Sequence, residues 1–308
     1  MILTVTCNPA TDVTYTVDSL APGEVHRVRS VVERPGGKGV NVSRVLQQLG
    51  ETTTATGLAD EAFDAAVEAS GVPAAFVPVL PKVRRTLVVQ APGETTSLWE
   101  PGPTVEPAVA STLEGTVQVL LETATALVVS GSLPVGLPVT LPVDLARLAV
   151  ARGLPVVLDL DDAPLRAAAD GSGAVLVPNR DELFRLLDAG GSLDVVPAAA
   201  ELSRRSGAPV VVTLGADGML AVDGSRCWHA VAPEPVPGNA TGAGDAAAAA
   251  IVRGLARAEA WPEILADAVA LSAAAVRMPV AGEVDLEAYR TWRPQVRAVP
   301  VESLPIGK

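Results

Sequence analysis

The sequence predicts an α/β protein with a mostly parallel central sheet, helices on both of its faces, and a small β-sheet lid standing away from it. Three observations carry that expectation. From about residue 105 onward, short β-branched apolar runs alternate regularly with helical patterns. Two strand-rich stretches, about 12–35 and 83–100, interrupt the alternation nearer the start and are taken as the lid. Finally, 308 residues at 49% hydrophobic content suffice for one domain, 1–308, whose core must be Ala, Val and Leu because aromatics reach only 3%.

Taken in order, Ile2 to Thr6 is an apolar strand ending at the Asn8-Pro9 turn signal. Asp12 follows on the carboxyl side of that strand, where open parallel sheets place their ligands. Thr14 to Val17 and Val25 to Val32 are strand-like, with the Ala21-Pro22-Gly23 turn between them. Next comes Pro35-Gly36-Gly37-Lys38-Gly39-Val40-Asn41, opening a helix whose apolar spacing is Val42, Val45, Leu46, Leu49 and whose C′ residue is Gly50. Thr52 to Leu58, Asp60 to Ser70 and Ala74 to Val79 follow as strand, helix and strand. Arg84 to Gln90 and Thr95 to Trp99 form a hairpin across Pro92-Gly93, with Arg84 and Arg85 at its base.

The alternating region starts with a helix near Glu106 to Ala124. Thr123 to Val143 carries no charge, yet Gly131, Pro134, Gly136, Pro138 and Pro142 break it, so it is a buried strand and a loop rather than a membrane span. A helix from about Val139 to Arg152 precedes the strand Val156 to Leu160. The strand Ala174 to Val177 ends at Pro178-Asn179, and helices follow over Asp181 to Leu187 and Ala198 to Ser206. The strand Pro209 to Leu214 and a hairpin across Asp223-Gly224 lead to the last glycine turn, and Trp261 to Arg277 adds a final helix.

That last turn, Thr241-Gly242-Ala243-Gly244, runs into a long alanine-rich helix with Asp245 at the junction. Backbone N–H groups at such a corner can receive a phosphate or a developing anion. A carboxylate there would repel a merely bound phosphate; it suits a base that deprotonates a nucleophile while the N–H groups hold the phosphoryl group. The spacing Gly242-x-Gly244-x-x-Ala247 also fits a loose dinucleotide fingerprint. However, Pro233, Pro235, Pro237 and Gly238 precede it where that fingerprint needs a strand.

The net charge of −12 argues against nucleic acid and anionic membrane as partners, so any phosphorylated ligand must be gripped by a few local cations. Lys38, set among glycines at a helix start, is one, and Arg85 another. Cys7 and Cys227 suggest no disulfide framework, and with His26 and His229 alone a Cys/His zinc site is not expected. The start of the chain lacks a basic signal region, and a cytoplasmic location is expected.

Together MILTVTCNPATD, PGGKGVNVSRVLQQLG, EPGP (Glu100 to Pro103), SGSLP, PNRDEL, TLGADG and TGAGD resemble the ribokinase-like (PfkB) carbohydrate kinases, in the 1-phosphofructokinase and tagatose-6-phosphate kinase branch. The resemblance implies transfer of a phosphoryl group from ATP, with Mg²⁺, to a hydroxyl of a ketohexose phosphate. Fructose 1-phosphate is the first choice; tagatose 6-phosphate, fructose 6-phosphate, or a catalytically impaired relative acting as a sugar-phosphate or nucleotide sensor are the alternatives. It implies Asp245 as the base and the Gly242, Ala243 and Gly244 backbone as the anion hole. Asp12, Gly36, Gly37 and Asn41 would hold the sugar, and Lys38 and Arg85 its phosphate. Asn179 and Glu182 would organise the nucleotide phosphates and Mg²⁺, the latter through water at Glu182, with Thr213 and Gly215 along ATP. Lids of this family pair between subunits, which implies a homodimer. The chain departs from the pattern at Val177, where Lys is usual, at Ala246, where Ser is usual, at Leu160-Asp161-Asp162 in place of a Ser-Gly run, and at the shortened segment following Gly57.

Overall fold

The computed structural model describes residues 1–187 and 194–302. Its first strand, β1 (Ile2–Thr6), leads into β2 (Ala10–Thr16) and β3 (Ser30–Gly36), then α1 (Lys38–Gln48), β4 (Thr53–Ala59), α2 (Glu61–Ala69) and β5 (Val77–Pro78). The hairpin β6 (Arg84–Ala91) and β7 (Glu94–Trp99) follows. The alternating half contains α3 (Val109–Leu120), β8 (Ala126–Ser130), α4 (Leu141–Val150), β9 (Val156–Asp159), α5 (Asp162–Ala168), β10 (Val175–Leu176), α6 (Arg180–Leu186), α7 (Val195–Ser206) and β11 (Val210–Thr213). The antiparallel strands β12 (Met219–Asp223) and β13 (Arg226–Ala230) precede α8 (Ala243–Ala256), α9 (Trp261–Val276), α10 (Leu286–Trp292) and β14 (Val299–Pro300).

Among the described residues ten strands form one sheet in the order β14-β13-β12-β11-β10-β9-β8-β1-β4-β5, parallel from β11 through β5. Alternation along the strands explains the two packed faces. Leu3, Val5, Leu127, Val129, Leu158 and Leu176 pack with α2 to α7, whereas Ile2, Ala126, Val128, Val157 and Val175 pack with α1, α8 and α9. Helix α8 is buried continuously from Asp245 to Val252. Its alanines let it lie close to the sheet, α1 and α9 at once, because they need little space and lose no rotamer freedom.

Strand β1 is central. The chain passes from it to β4 on one side and later returns to β8 on the other, so a crevice opens at the carboxyl ends of β1 and β8. Above it lies the second sheet, ordered β3-β2-β6-β7. Its middle pair β2/β6 is parallel and its outer pairs are antiparallel. This sheet is clasped to the loop that follows α9: the Arg34 guanidinium pairs with Glu283 at 2.7 Å and donates to the Ala281 carbonyl, and Gln90 Nε2 donates to Pro279 O at 2.5 Å.

Several boundaries differ from the sequence expectation. The strand expected over 25–32 lies at Ser30–Gly36 and runs directly into the glycines that start α1. The Asn8-Pro9 turn is so tight that β2 begins at Ala10, which places Asp12 within a strand. Helices α5 and α10 were not anticipated. Each has seven residues, too short to display an apolar period. Among the described residues no helix is long and apolar enough to cross a membrane.

Candidate active site

Two glycine-led helix starts converge on the crevice. Gly37 (φ 96°) is the N-cap of α1 and Gly242 (φ 90°) the N-cap of α8, conformations that L side chains rarely adopt. A side chain at Gly242 would also press into Ala281, and one at Gly37 into Thr6. Between these helix starts and the small sheet lies a cavity of about 450 Å³, reached by Asp12, Lys38, Asn41, Arg84, Gly244 and Asp245 among others.

Asp245 stands in the first turn of α8, only 5% exposed. Burial pushes its carboxyl up to about 7, with Asp159 adding repulsion; Lys38 and a hydrogen bond with Asn41 oppose the rise, and Asp12 adds to it. A carboxyl with that value exchanges its proton near neutral pH, as a general base must. The first N–H groups of a helix lack intrahelical partners. Here the Ala243 N–H donates to the Ala240 carbonyl at 3.1 Å, which leaves those of Gly244 and Asp245 to face an anion. Of the three residues of the expected anion hole, Gly242 and Gly244 line the cavity, whereas Ala243 has its N–H occupied and does not line it.

Lys38 reaches across the crevice floor. Its Nζ lies 3.2 Å from Asp159 Oδ1 and 3.3 Å from Asp161 Oδ1. Burial opposes its charge, but Asp159, Asp161 and Asp245 together outweigh that effect and hold it protonated. Asp159 is itself anchored, accepting from Ser130 Oγ at 2.7 Å. On the other wall, Asp12 accepts from Thr86 Oγ1 at 2.5 Å and from Asn41 Nδ2 at 3.5 Å, so it ties the small sheet to α1. Gly36 does not line the cavity; any side chain there would collide with the Asp12 carboxylate.

The arginine expected at the cavity is displaced by one position. Successive side chains of a strand point to opposite faces. Arg84 lines the cavity, and Arg85 is exposed on the far side of the sheet, beside Tyr15, Glu33 and Leu98. Arg84 donates to the Asn8 carbonyl from Nε and Nη2, both at 3.3 Å, and to the Glu100 carbonyl at 2.9 Å. Of the cations lining the cavity, Arg34 and Lys38 have carboxylate partners, and Arg84 has none within ion-pair distance among the described residues. Two adjacent arginines gave no sequence signal as to which faced inward; only strand register settles it.

Asn179, Glu182, Thr213 and Gly215 do not line this cavity but gather at the carboxyl ends of β10 and β11. Asn179 and Glu182 form a reciprocal capping box at the start of α6, with bonds of 2.9 and 2.8 Å. Glu182 is within Coulomb range of Lys38, Asp159 and Asp161, and burial raises its carboxyl above the usual value. Magnesium usually keeps several waters and takes one or two carboxylates plus substrate phosphates. A single half-buried carboxylate with a free oxygen suits that mode of holding. No group of three or more metal-ligand side chains occurs among the described residues, so a dedicated protein cage does not fit. Val177, where a cation had been expected from the resemblance, is buried at 5% exposure in the packed face below.

The model of the pfkB family carbohydrate kinases matches residues 6–287. Phosphofructokinase-2 from Escherichia coli, solved in complex with fructose-6-phosphate, is 29% identical with a TM-score of 0.86 over 96% of this chain and 98% of that one. A possible 1-phosphofructokinase from Thermotoga maritima is 25% identical with a TM-score of 0.87 over 98% and 100% of the respective chains. Ribokinase from Cryptococcus neoformans var. grubii, in complex with ADP, shares the fold at 21% identity and a TM-score of 0.67 over 94% and 96%.

The raised Asp245 carboxyl has a consequence for stability. Because its folded value, about 7, exceeds its ordinary 3.8, its contribution is most favourable below about pH 4 and is lost as pH rises through 7. Asp245→Asn removes that ionisation cost. The variant should melt higher than the wild type at pH 8, with the gap narrowing steadily toward pH 4 in parallel thermal scans. Equal gaps across the range would show that the carboxyl titrates normally.

Proposed function

The chain belongs to the pfkB family of carbohydrate kinases, and from that premise we propose that it transfers the terminal phosphoryl group of MgATP to a hydroxyl of a ketohexose phosphate. The observation that carries this reading is the buried, near-neutral Asp245 carboxyl at a glycine-led helix start, opening on a cavity that also holds an arginine without a carboxylate partner. In this reading Asp245 accepts the proton of the attacking hydroxyl. The N–H groups of Gly244 and Asp245 stabilise the charge on the phosphoryl group in transfer. Asp12 and Asn41 orient sugar hydroxyls, Gly37 lets them approach, Gly36 leaves room for the Asp12 carboxylate, and Lys38 and Arg84 take the phosphate already on the sugar.

Asn179 and Glu182 hold the nucleotide end, with Mg²⁺ reached from Glu182 through water, and Thr213 and Gly215 flank the nucleotide. Bound Mg²⁺ would neutralise phosphate charge, which suits a rim without a lysine at position 177. Fructose 1-phosphate is the first choice of acceptor, and fructose 6-phosphate and tagatose 6-phosphate follow. The small sheet serves as a lid that excludes water while the phosphoryl group moves.

The outer strands of the lid expose Val31, Leu98 and Trp99 at 53%, 57% and 68%, and its edges β3 and β7 have no strand partner among the described residues. Such surface suits pairing with the lid of a second copy, which supports a homodimer. Sedimentation of the wild type should give twice the chain mass, and Leu98→Asp should halve it. A wild type that sediments as a monomer across concentrations would overturn the dimer.

Two kinetic outcomes test the reaction and its anchor. With a panel of fructose 1-phosphate, fructose 6-phosphate and tagatose 6-phosphate, ADP release from MgATP should require one of the three, rise with pH through about 7, and drop by about three or more powers of ten in Asp245→Asn. Arg84→Ala should raise KM for that phosphate about tenfold or more, whereas Arg85→Ala should leave it within about twofold. Turnover with unphosphorylated hexoses alone would sink the sugar-phosphate reading.

A further inference from the structure

Lys38 is over-neutralised. One carboxylate balances an ammonium, and Asp159 supplies it from a fixed position, 8% exposed and held by Ser130. Asp161 adds a second carboxylate at 3.3 Å, and the two differ in kind. The Asp161 side chain is 36% exposed, lines the cavity, and has no hydrogen-bond partner other than Lys38 among the described residues. It also lies within Coulomb range of the Arg84 guanidinium across the cavity.

Its place in the fold sharpens the contrast. Asp161 is the N-cap of α5, a position at which an aspartate ordinarily bonds the first N–H groups of its helix. Asp60, Asp194 and Asp285 occupy the same position on α2, α7 and α10, and each makes that bond. Asp161 does not; its carboxylate is turned to Lys38 instead. It therefore stands close to both cations that a phosphorylated ligand would use, and once displaced it can cap only the Ala163 N–H, because Pro164 at the third helical position has none.

We propose that Asp161 is a specificity-determining residue: its carboxylate competes with a ligand phosphate for Lys38 and weakens the pull of Arg84, which holds anion affinity below what the two cations alone would give. This rests on the reading of the cavity as the receiver of a phosphorylated substrate. An incoming phosphate must break the Lys38–Asp161 pair, and the freed carboxylate turns to solvent or to the Ala163 N–H. The cost falls on anionic ligands and spares neutral sugars, which need neither cation.

The test is calorimetric titration of wild type, Asp161→Asn and Asp161→Ser with fructose 1-phosphate, inorganic phosphate and unphosphorylated fructose, beside a turnover assay on the hexose phosphate panel. Both variants should bind the two phosphates about tenfold more tightly than wild type, with the gain shrinking as salt is raised and no gain for fructose. Unchanged or weaker phosphate binding in both variants would overturn the role of Asp161, as would an equal gain for fructose. If no hexose phosphate turns over in any of the three proteins, the substrate reading fails, and the inorganic phosphate ratio still decides the competition.

Discussion

Everything at the crevice depends on keeping three aspartates, 159, 161 and 245, close together around one lysine. Carboxylates so placed repel one another, and removing them from water adds to the cost. Lys38 offsets most of it by bridging Asp159 and Asp161, and the α8 N-terminus favours negative charge on Asp245. What is left uncompensated appears as the raised Asp245 carboxyl. The feature that makes the site costly to build is thus the one that leaves a carboxylate ready to accept a proton near neutrality.

The close approach of backbones follows from that arrangement. Lys38 can span the floor only because α1 starts at once after β3, with Gly37 in a conformation few other residues adopt. Gly39 sits against Thr6 and the Val5 carbonyl, and Gly57 against the Thr6 carbonyl, leaving no room for a side chain at either. Gly282 abuts Asn41 from the loop that follows α9, the same loop that clasps the lid through Arg34 and Gln90. The small sheet and the crevice floor are thus linked by these hydrogen bonds as well as by the chain itself, which runs from β1 into β2 and from β3 into α1.

The charge economy of the molecule has the same logic. A chain with net charge −12 can accept anionic ligands only where cations are placed individually. Arg34 is spent on the clasp, Lys38 is shared between carboxylates, and Arg84 is oriented by the Asn8 and Glu100 carbonyls, which fix it without cancelling its charge. Their different partners, more than their number, set what the cavity can bind.

Much of this was legible in the sequence. The βα alternation, the two glycine-led helix starts and Asp245 at the head of an alanine helix follow from local propensities and turn chemistry, which act over a few residues and so are written there directly. Helices α5 and α10 escaped because seven residues show too little of a period; α6, equally short, carries the Asn179-x-x-Glu182 capping signal that those two lack. Which of Arg84 and Arg85 faces the cavity, that Asp12 lies in a strand, that Ala243 spends its N–H on Ala240, and that Asp161 turns from its own helix to Lys38 were decided only by the tertiary structure. Each depends on strand register or on a partner far along the chain, and a one-residue change in register exchanges inside for outside without altering any local preference.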